Sequence, residues 1–178
     1  MTAAYRVLRD HGVSGLSLRR IAEQVGVSEP AVHKRVGSKQ ALLVELQRWA
    51  TEQTRALLVC LDEPAPVDGL RRLVRTFARQ VSSPAELAHL LSFSAQCLAD
   101  RSLRAHAQER QILLTDSIAA ALRRARYGRP DALARAVVAL LDGVPVGWAT
   151  RADGSLERML LESLDLLLQR NKEAAWMR

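Results

Sequence analysis

Between Gly12 and Lys39 the chain reads GVSGLSLRRIAEQVGVSEPAVHKRVGSK, and here residue type and spacing could do chemistry. That chemistry is recognition of an anionic, hydrogen-bonding surface. Ser17 is placed to cap a short helix whose apolar positions, Leu18, Ile21, Ala22 and Val25, share one side. Gly26 allows the backbone bend that ends it, and Val27 follows as an apolar plug. Ser28 is the cap candidate for a second helix, with Glu29 and Pro30 in its first turn, where proline's missing amide costs little. That helix has only Ala31, Val32 and Val36 to pack inward. Ser28, Glu29, His33, Lys34 and Arg35 turn outward, the polar face needed to read base edges in a major groove. Two short helices across a tight turn also fit an αα-hairpin inside a bundle, its charges a solvated face. The residue types leave both readings standing.

The surrounding elements are all helical, because apolar residues recur at three and four and no stretch alternates like a strand. A first helix covers about Thr2 to His11, with Ala4, Val7 and Leu8 inward and Gly12 as its C-terminal cap. A long helix follows Ser38, with Leu42, Leu43, Leu46, Trp49, Gln53 and Leu57 on one side, and stops before the loop Asp62-Glu63-Pro64-Ala65-Pro66. Another runs from about Asp68 to Val81. Ser83-Pro84-Ala85-Glu86 reads as a capping box that opens the next. Asp100 caps a helix reaching Tyr127, and two more run from about Pro130 to Arg151 and from Leu156 to about Lys172, joined by the turn Ala152 to Ser155. The expected fold is all-α, about nine helices, with no fixed-period repeat.

With 178 residues, 48% of them hydrophobic and only 4% aromatic, the core must be built from Leu, Val and Ala. The N-terminus has no apolar leader, and the most apolar run, Ala136 to Leu141, stops at Asp142, far short of a membrane span. A cytoplasmic protein without membrane contact is expected. The net charge of +7 points to an anionic partner, nucleic acid being the commonest. Residues 1–50 hold eight Lys or Arg against four Asp or Glu, and the remaining 128 hold eighteen against fifteen, so the excess is denser at the start. Cys60 and Cys97 are too few for a disulfide scaffold and lack zinc spacing. They read as buried small hydrophobes, a redox-sensing pair being the alternative.

Leu16-Ser17-Leu18-Arg19-Arg20-Ile21-Ala22, Gly26-Val27-Ser28 and Ser38-Lys39-Gln40-Ala41-Leu42 closely resemble the TetR family of transcriptional regulators over residues 3 to 46. The resemblance implies a three-helix helix-turn-helix DNA-binding domain in residues 1–45 and a helical ligand-binding and dimerisation domain in residues 46–178. It implies that Ser17 and Lys39 meet phosphates and that Arg19 reaches a base edge. It also places Glu29, Pro30, His33, Lys34 and Arg35 at the recognition helix's contact positions, with Ser28 at its start. Arginine suits guanine because its fork matches the O6 and N7 acceptors. His33 and Val36 depart from the family, which usually carries Tyr and Phe there; an imidazole can still donate to a phosphate. The first helix opens the chain where the family usually has another turn or a basic arm, so contacts from such an arm stay open.

The implied function is a homodimeric, ligand-released repressor that binds a pseudo-palindromic double-stranded operator and lets go when a small-molecule effector binds. For the dimer, Ala132, Ala136, Ala139, Gly143 and Gly147 make a stripe of small residues, and Met159, Leu160, Leu164 and Leu167 an apolar face after it; intrachain packing is the alternative. His89, Phe93, Gln96, Cys97, His106 and Trp148 are pocket-lining types, but His89, Cys97 and His106 are not spaced to hold a metal. No cofactor is expected. No phosphate loop, nucleophile elbow or converging carboxylate pair supports catalysis, so no enzyme is expected. A helical ligand-binding or interaction protein with a motif that no longer reads DNA is the competing class.

Overall fold

The computed structural model describes residues 1–151 and 153–176, with side chains through Asn171, and among them holds nine α-helices and no strand. They are α1 (Thr2–Gly15), α2 (Leu18–Val25), α3 (Glu29–Val36), α4 (Lys39–Leu58), α5 (Pro66–Ala78), α6 (Pro84–Ala99), α7 (Arg101–Arg124), α8 (Pro130–Arg151) and α9 (Leu156–Trp176), with a 3₁₀ turn at Val59–Asp62. The helices form two compact units. The first comprises Met1–Gln53 and Ala85–Arg110, the second Thr54–Pro84 and the chain from Gln111 onward.

In the first unit, helix boundaries follow local chemistry. Gly12 breaks α1 with φ +66°, leaving residues 13–15 as a separate turn. Ser17 caps α2 by accepting from the Arg20 amide at 3.2 Å. Gly26 ends α2 in the left-handed region, and the Val27 amide reaches back to the Ala22 carbonyl at 3.1 Å, satisfying a carbonyl the helix would orphan. Ser28 occupies the cap position of α3 but makes no side-chain cap bond, so its expected capping role is not realised. Val25 and Val27, expected to face inward, are 48% and 49% exposed. The short α2–α3 turn has too little protein behind it to cover them.

The first unit's core joins Ala4, Val7 and Leu8 of α1, Leu16, Ile21 and Ala22 around α2, Val32 of α3, and Leu42, Leu43 and Leu46 of α4 to Phe93 and Cys97 of α6 and Leu103 of α7. Polar ties accompany it. Glu86, the acid of the expected capping box, is buried and its carboxylate pairs with Arg9. His89 Nδ1 donates to the Arg9 carbonyl at 2.7 Å, with its ring packed over Gly12. Gln47 and Thr51, polar residues outside the apolar side expected of α4, are buried, and Gln47 Nε2 lies 2.6 Å from Cys97 Sγ.

The second unit is stitched by longer apolar helices. Leu70, Leu73 and Val74 of α5, Ile118, Ala121 and Leu122 of α7, Leu133, Ala134, Val137, Val138 and Leu141 of α8, and Leu156, Leu160, Leu164 and Leu168 of α9 share one core. Gly69 lies against the backbone of the 3₁₀ turn, where a Cβ would run into the Cys60 carbonyl. Arg71 grips Asp165 with Nε at 3.0 Å and Nη2 at 2.9 Å. The expected helix to Tyr127 ends at Arg124, and Arg126 and Arg129 both take positive φ. Pro145 does not end α8, which continues to Arg151. By length and composition α8 could cross a membrane, more apolar than its short runs suggest, yet it lines this core. In the expected Ala152 to Ser155 turn, Ala152 lies outside the described residues, and Gly154 has φ +68°.

Candidate nucleic-acid interface

The first unit presents α2, α3 and the start of α4 as a polar surface. Within α3, Glu29, Pro30, His33, Lys34 and Arg35 are all exposed, and Val32 is the buried contact. Among the described residues, no carboxylate pairs with the side chain of Lys34 or Arg35. Ser28's hydroxyl, spared from capping, is exposed beside them. Gly37 closes the helix with φ +79°, its amide held by the His33 carbonyl at 2.7 Å.

Arg19, 77% exposed, holds Glu23 through Nε at 2.9 Å, a hydrogen bond that raises its pKa. With Nε engaged, the two Nη groups are the ones left to address an acceptor fork. The Ser17 oxygen accepts from the helix amide, which leaves its O–H to donate. Lys39 Nζ donates to the Val13 carbonyl at 2.9 Å, fastening the start of α4 to the turn that follows Gly12. Two of its three ammonium protons stay available to a phosphate.

A residue sequence reasoning passed over is Arg20. Its Nη1 donates to the Gly15 carbonyl at 2.7 Å, and with Ser14, Gly15, Ser17, Arg19 and Glu23 it bounds a cleft of about 450 Å³. The signal was the basic pair Arg19-Arg20 itself, since one helix position separates their directions by about 100°.

The candidate pocket residues do not form one site. Phe93 and Cys97 are 8% and 2% exposed in the first unit's core, where burial pushes the Cys97 thiol up. His89 is committed to Arg9, Gln96 is exposed, and half-buried His106 faces Glu109 at 3.9 Å. Trp148 belongs to the second unit, where its Nε1 donates to the Gly154 carbonyl at 3.2 Å. Cys60 and Cys97 are both free and lie in different units. The second unit instead shows a cleft of about 410 Å³ lined by Val67, Arg71, Tyr127, Asp165, Leu168 and Gln169.

Of the candidate dimer residues, Leu160 and Leu164 are fully buried in the second unit's own core, so neither has surface to offer a second copy. Ala139 and Gly143 are exposed, and Ala136, Gly147, Met159 and Leu167 are half-buried. A Cβ added at Gly143 or Gly147 would meet open space. Leu166, unremarked in the sequence, is 59% exposed on α9.

Residues 1–46 match the family model described as bacterial regulatory proteins, tetR family. No curated protein matches the chain. Among solved structures, a TetR transcription regulator from Haloarcula marismortui superposes with a TM-score of 0.81 at 18% identity, covering 96% of this chain and 94% of its own. A TetR transcriptional regulator from Legionella pneumophila gives 0.79 at 15%, covering 94% of each. A chain from Saccharomonospora viridis, solved in complex with choline, gives 0.80 at 20%, covering 96% of this chain and 93% of its own. The protein thus carries the N-terminal module of the tetR-family regulatory proteins in residues 1–46, on a chain that has the fold of the TetR regulators throughout.

Proposed function

We infer that this protein is a sequence-specific DNA-binding transcriptional regulator, a homodimeric repressor of a pseudo-palindromic operator that a small-molecule effector releases. The observation that carries the reading is α3, which exposes Glu29, His33, Lys34 and Arg35 along a helix held by the capped, glycine-ended α2. Lys34 and Arg35 can meet an anionic groove without first breaking an ion pair. Ser17, Ser28 and Lys39 anchor the sugar-phosphate backbone, while Arg19 and the α3 side chains address base edges.

Residues 1–45 do the reading, and residues 46–178 supply effector response and dimerisation. The second copy docks on the outer face of α8 and α9 through Ala136, Ala139, Gly143, Gly147, Met159 and Leu167, with Leu166 added. Small residues on α8 permit close approach of a partner helix. That the Saccharomonospora viridis neighbour was solved with choline supports an effector of small-molecule size. An effector works only through its different affinity for the DNA-bound and released states. The protein acts in the cytoplasm, without enzymatic turnover.

The test is a titration of the full chain against the intergenic DNA upstream of its own gene and against random duplex at moderate salt. A segment that binds much more tightly than random duplex is the expected result. Equal affinity for every upstream segment and for random sequence would sink the regulator reading.

A further inference from the structure

We propose that the DNA-contacting surface extends beyond residues 1–46 onto the first turn of α7, where Arg101 and Arg104 grip duplex phosphates flanking those met by Lys39. This rests on the DNA-binding reading above and adds a contact to it. The juxtaposition comes from Gln40, the residue after Lys39: its Nε2 donates to Asp100 Oδ2 at 3.0 Å and to Ser102 Oγ at 3.3 Å. The N-terminal ends of α4 and α7 are thereby stitched side by side within the first unit.

Arg101 and Arg104, three apart on α7, point to solvent on neighbouring positions of the same face. Their nearest acid in sequence, Asp100, is occupied: its Oδ1 accepts from the Ser102 amide at 2.8 Å, the Leu103 amide at 3.0 Å and the Ser102 hydroxyl, while Gln40 holds Oδ2. Among the described residues, neither arginine side chain has an ion-pair partner. In the first unit Arg6, Lys34 and Arg35 share that condition, as do Arg20 and Lys39, which hold backbone carbonyls only, whereas Arg9, Arg19 and Arg48 each reach a glutamate.

Two cations three residues apart repel each other, and the first turn of a helix is the end where positive charge is disfavoured. The first turn of α7 itself holds no acid; the negative charge beside them is the Asp100 carboxylate at the cap, which Ser102, Leu103 and Gln40 engage. A placement that works against the helix's own preference marks a position serving something outside it. An array of phosphates fits both the charge and the planar guanidinium fork, and it lies next to the start of α4 once the chain is on DNA.

The experiment measures binding of the full chain to a labelled random-sequence duplex long enough for two half-sites, between about 50 and about 200 mM salt. The Arg101→Ala/Arg104→Ala variant should bind roughly tenfold more weakly or worse at the lower salt. Its plot of log affinity against log salt should flatten by about 0.9 for each phosphate that is no longer neutralised. Arg101→Lys/Arg104→Lys should recover most of the slope, since lysine keeps the point charge. Thermal unfolding should match wild type for both variants. If the alanine variant keeps wild-type affinity and slope while Lys34→Ala/Arg35→Ala weakens, this inference falls and the DNA-binding reading stands. A lysine variant as weak as the alanine variant also overturns it. If the wild-type chain binds no duplex, both readings fall together.

Discussion

Helix α3 buries one of its eight residues, Val32, whereas α9 drives Leu156, Leu160, Leu164 and Leu168 into the core at every turn. The first is held from outside, by the Gly26 turn, α2 and Gly37, and keeps nearly all its surface for a partner. The second is held by what it buries. The contrast shows how one chain divides labour: recognition helices are stabilised by their neighbours, because side chains spent on packing could not also read a ligand.

The largest test of that contrast is a pair of truncations. Leu164→Ala should cost about 2 to 5 kcal/mol of unfolding free energy, since it removes a fully buried side chain and leaves a cavity. Arg35→Ala should change stability by less than about 0.5 kcal/mol while weakening duplex binding. Denaturant melts of the two variants check this; comparable losses of stability would erase the distinction.

Next comes the division of roles within the reading surface. Arg19→Ala should lose about 1 to 3 kcal/mol at particular base pairs and little on random sequence. Lys39→Ala should weaken all sequences alike and lower the salt slope by about 0.9. Because Lys39 also holds the Val13 carbonyl, that variant should lose about 0.5 to 1.5 kcal/mol of stability as well. Competition titrations with mutated operators separate the two residues, and identical profiles would refute the division.

Turn chemistry differs between the units too. Gly12, Gly26 and Gly37 take the positive-φ turns of the first unit, whereas in the second Arg126 and Arg129 occupy such positions beside Gly154. Arg126→Gly should therefore stabilise the protein by about 0.5 to 1 kcal/mol, the relief of a left-handed side chain less the entropy glycine costs. Gly26→Ala should destabilise it by about 1 to 2 kcal/mol. A thermal melt showing both changes with the same sign would contradict the turn assignments.

The smallest effect is a pH dependence at α7. Hydrogen bonds from the Ser102 hydroxyl, foremost, and the Leu103 amide lower the Asp100 pKa below its ordinary 3.8. A depressed carboxylate pKa adds stability that is fully present above the ordinary value and is lost as pH falls through the folded one. Asp100→Asn should remove that increment at neutral pH and flatten the acid limb of the stability curve, leaving the low-pH end nearly unchanged. An acid limb identical to wild type would exclude that role.

Much of the reading surface was legible because its signals are short-range. The Ser17 cap, the Gly12 and Gly26 stops and the Asp100 cap each depend on residues a few positions away, and the structure realises them. Ser28 is the local signal that failed, since a favourable residue at a cap position need not rotate into the bond. The wrong faces lay where partners are distant. Val25 and Val27 are apolar but have nothing above them, and Gln47 and Glu86 are polar but buried against α6 and α1.

The sequence by itself determined the nine-helix order, the motif from Ser17 to Lys39 and the outward face of α3, because caps, glycines and a 3.6-residue period act within a turn or two. Only tertiary structure decided that α6 and the start of α7 join the first unit, and that Leu160 and Leu164 are spent inside their own core. An apolar stripe states that a helix must be covered. Which element covers it depends on contacts between residues far apart in the chain, and no local period encodes those.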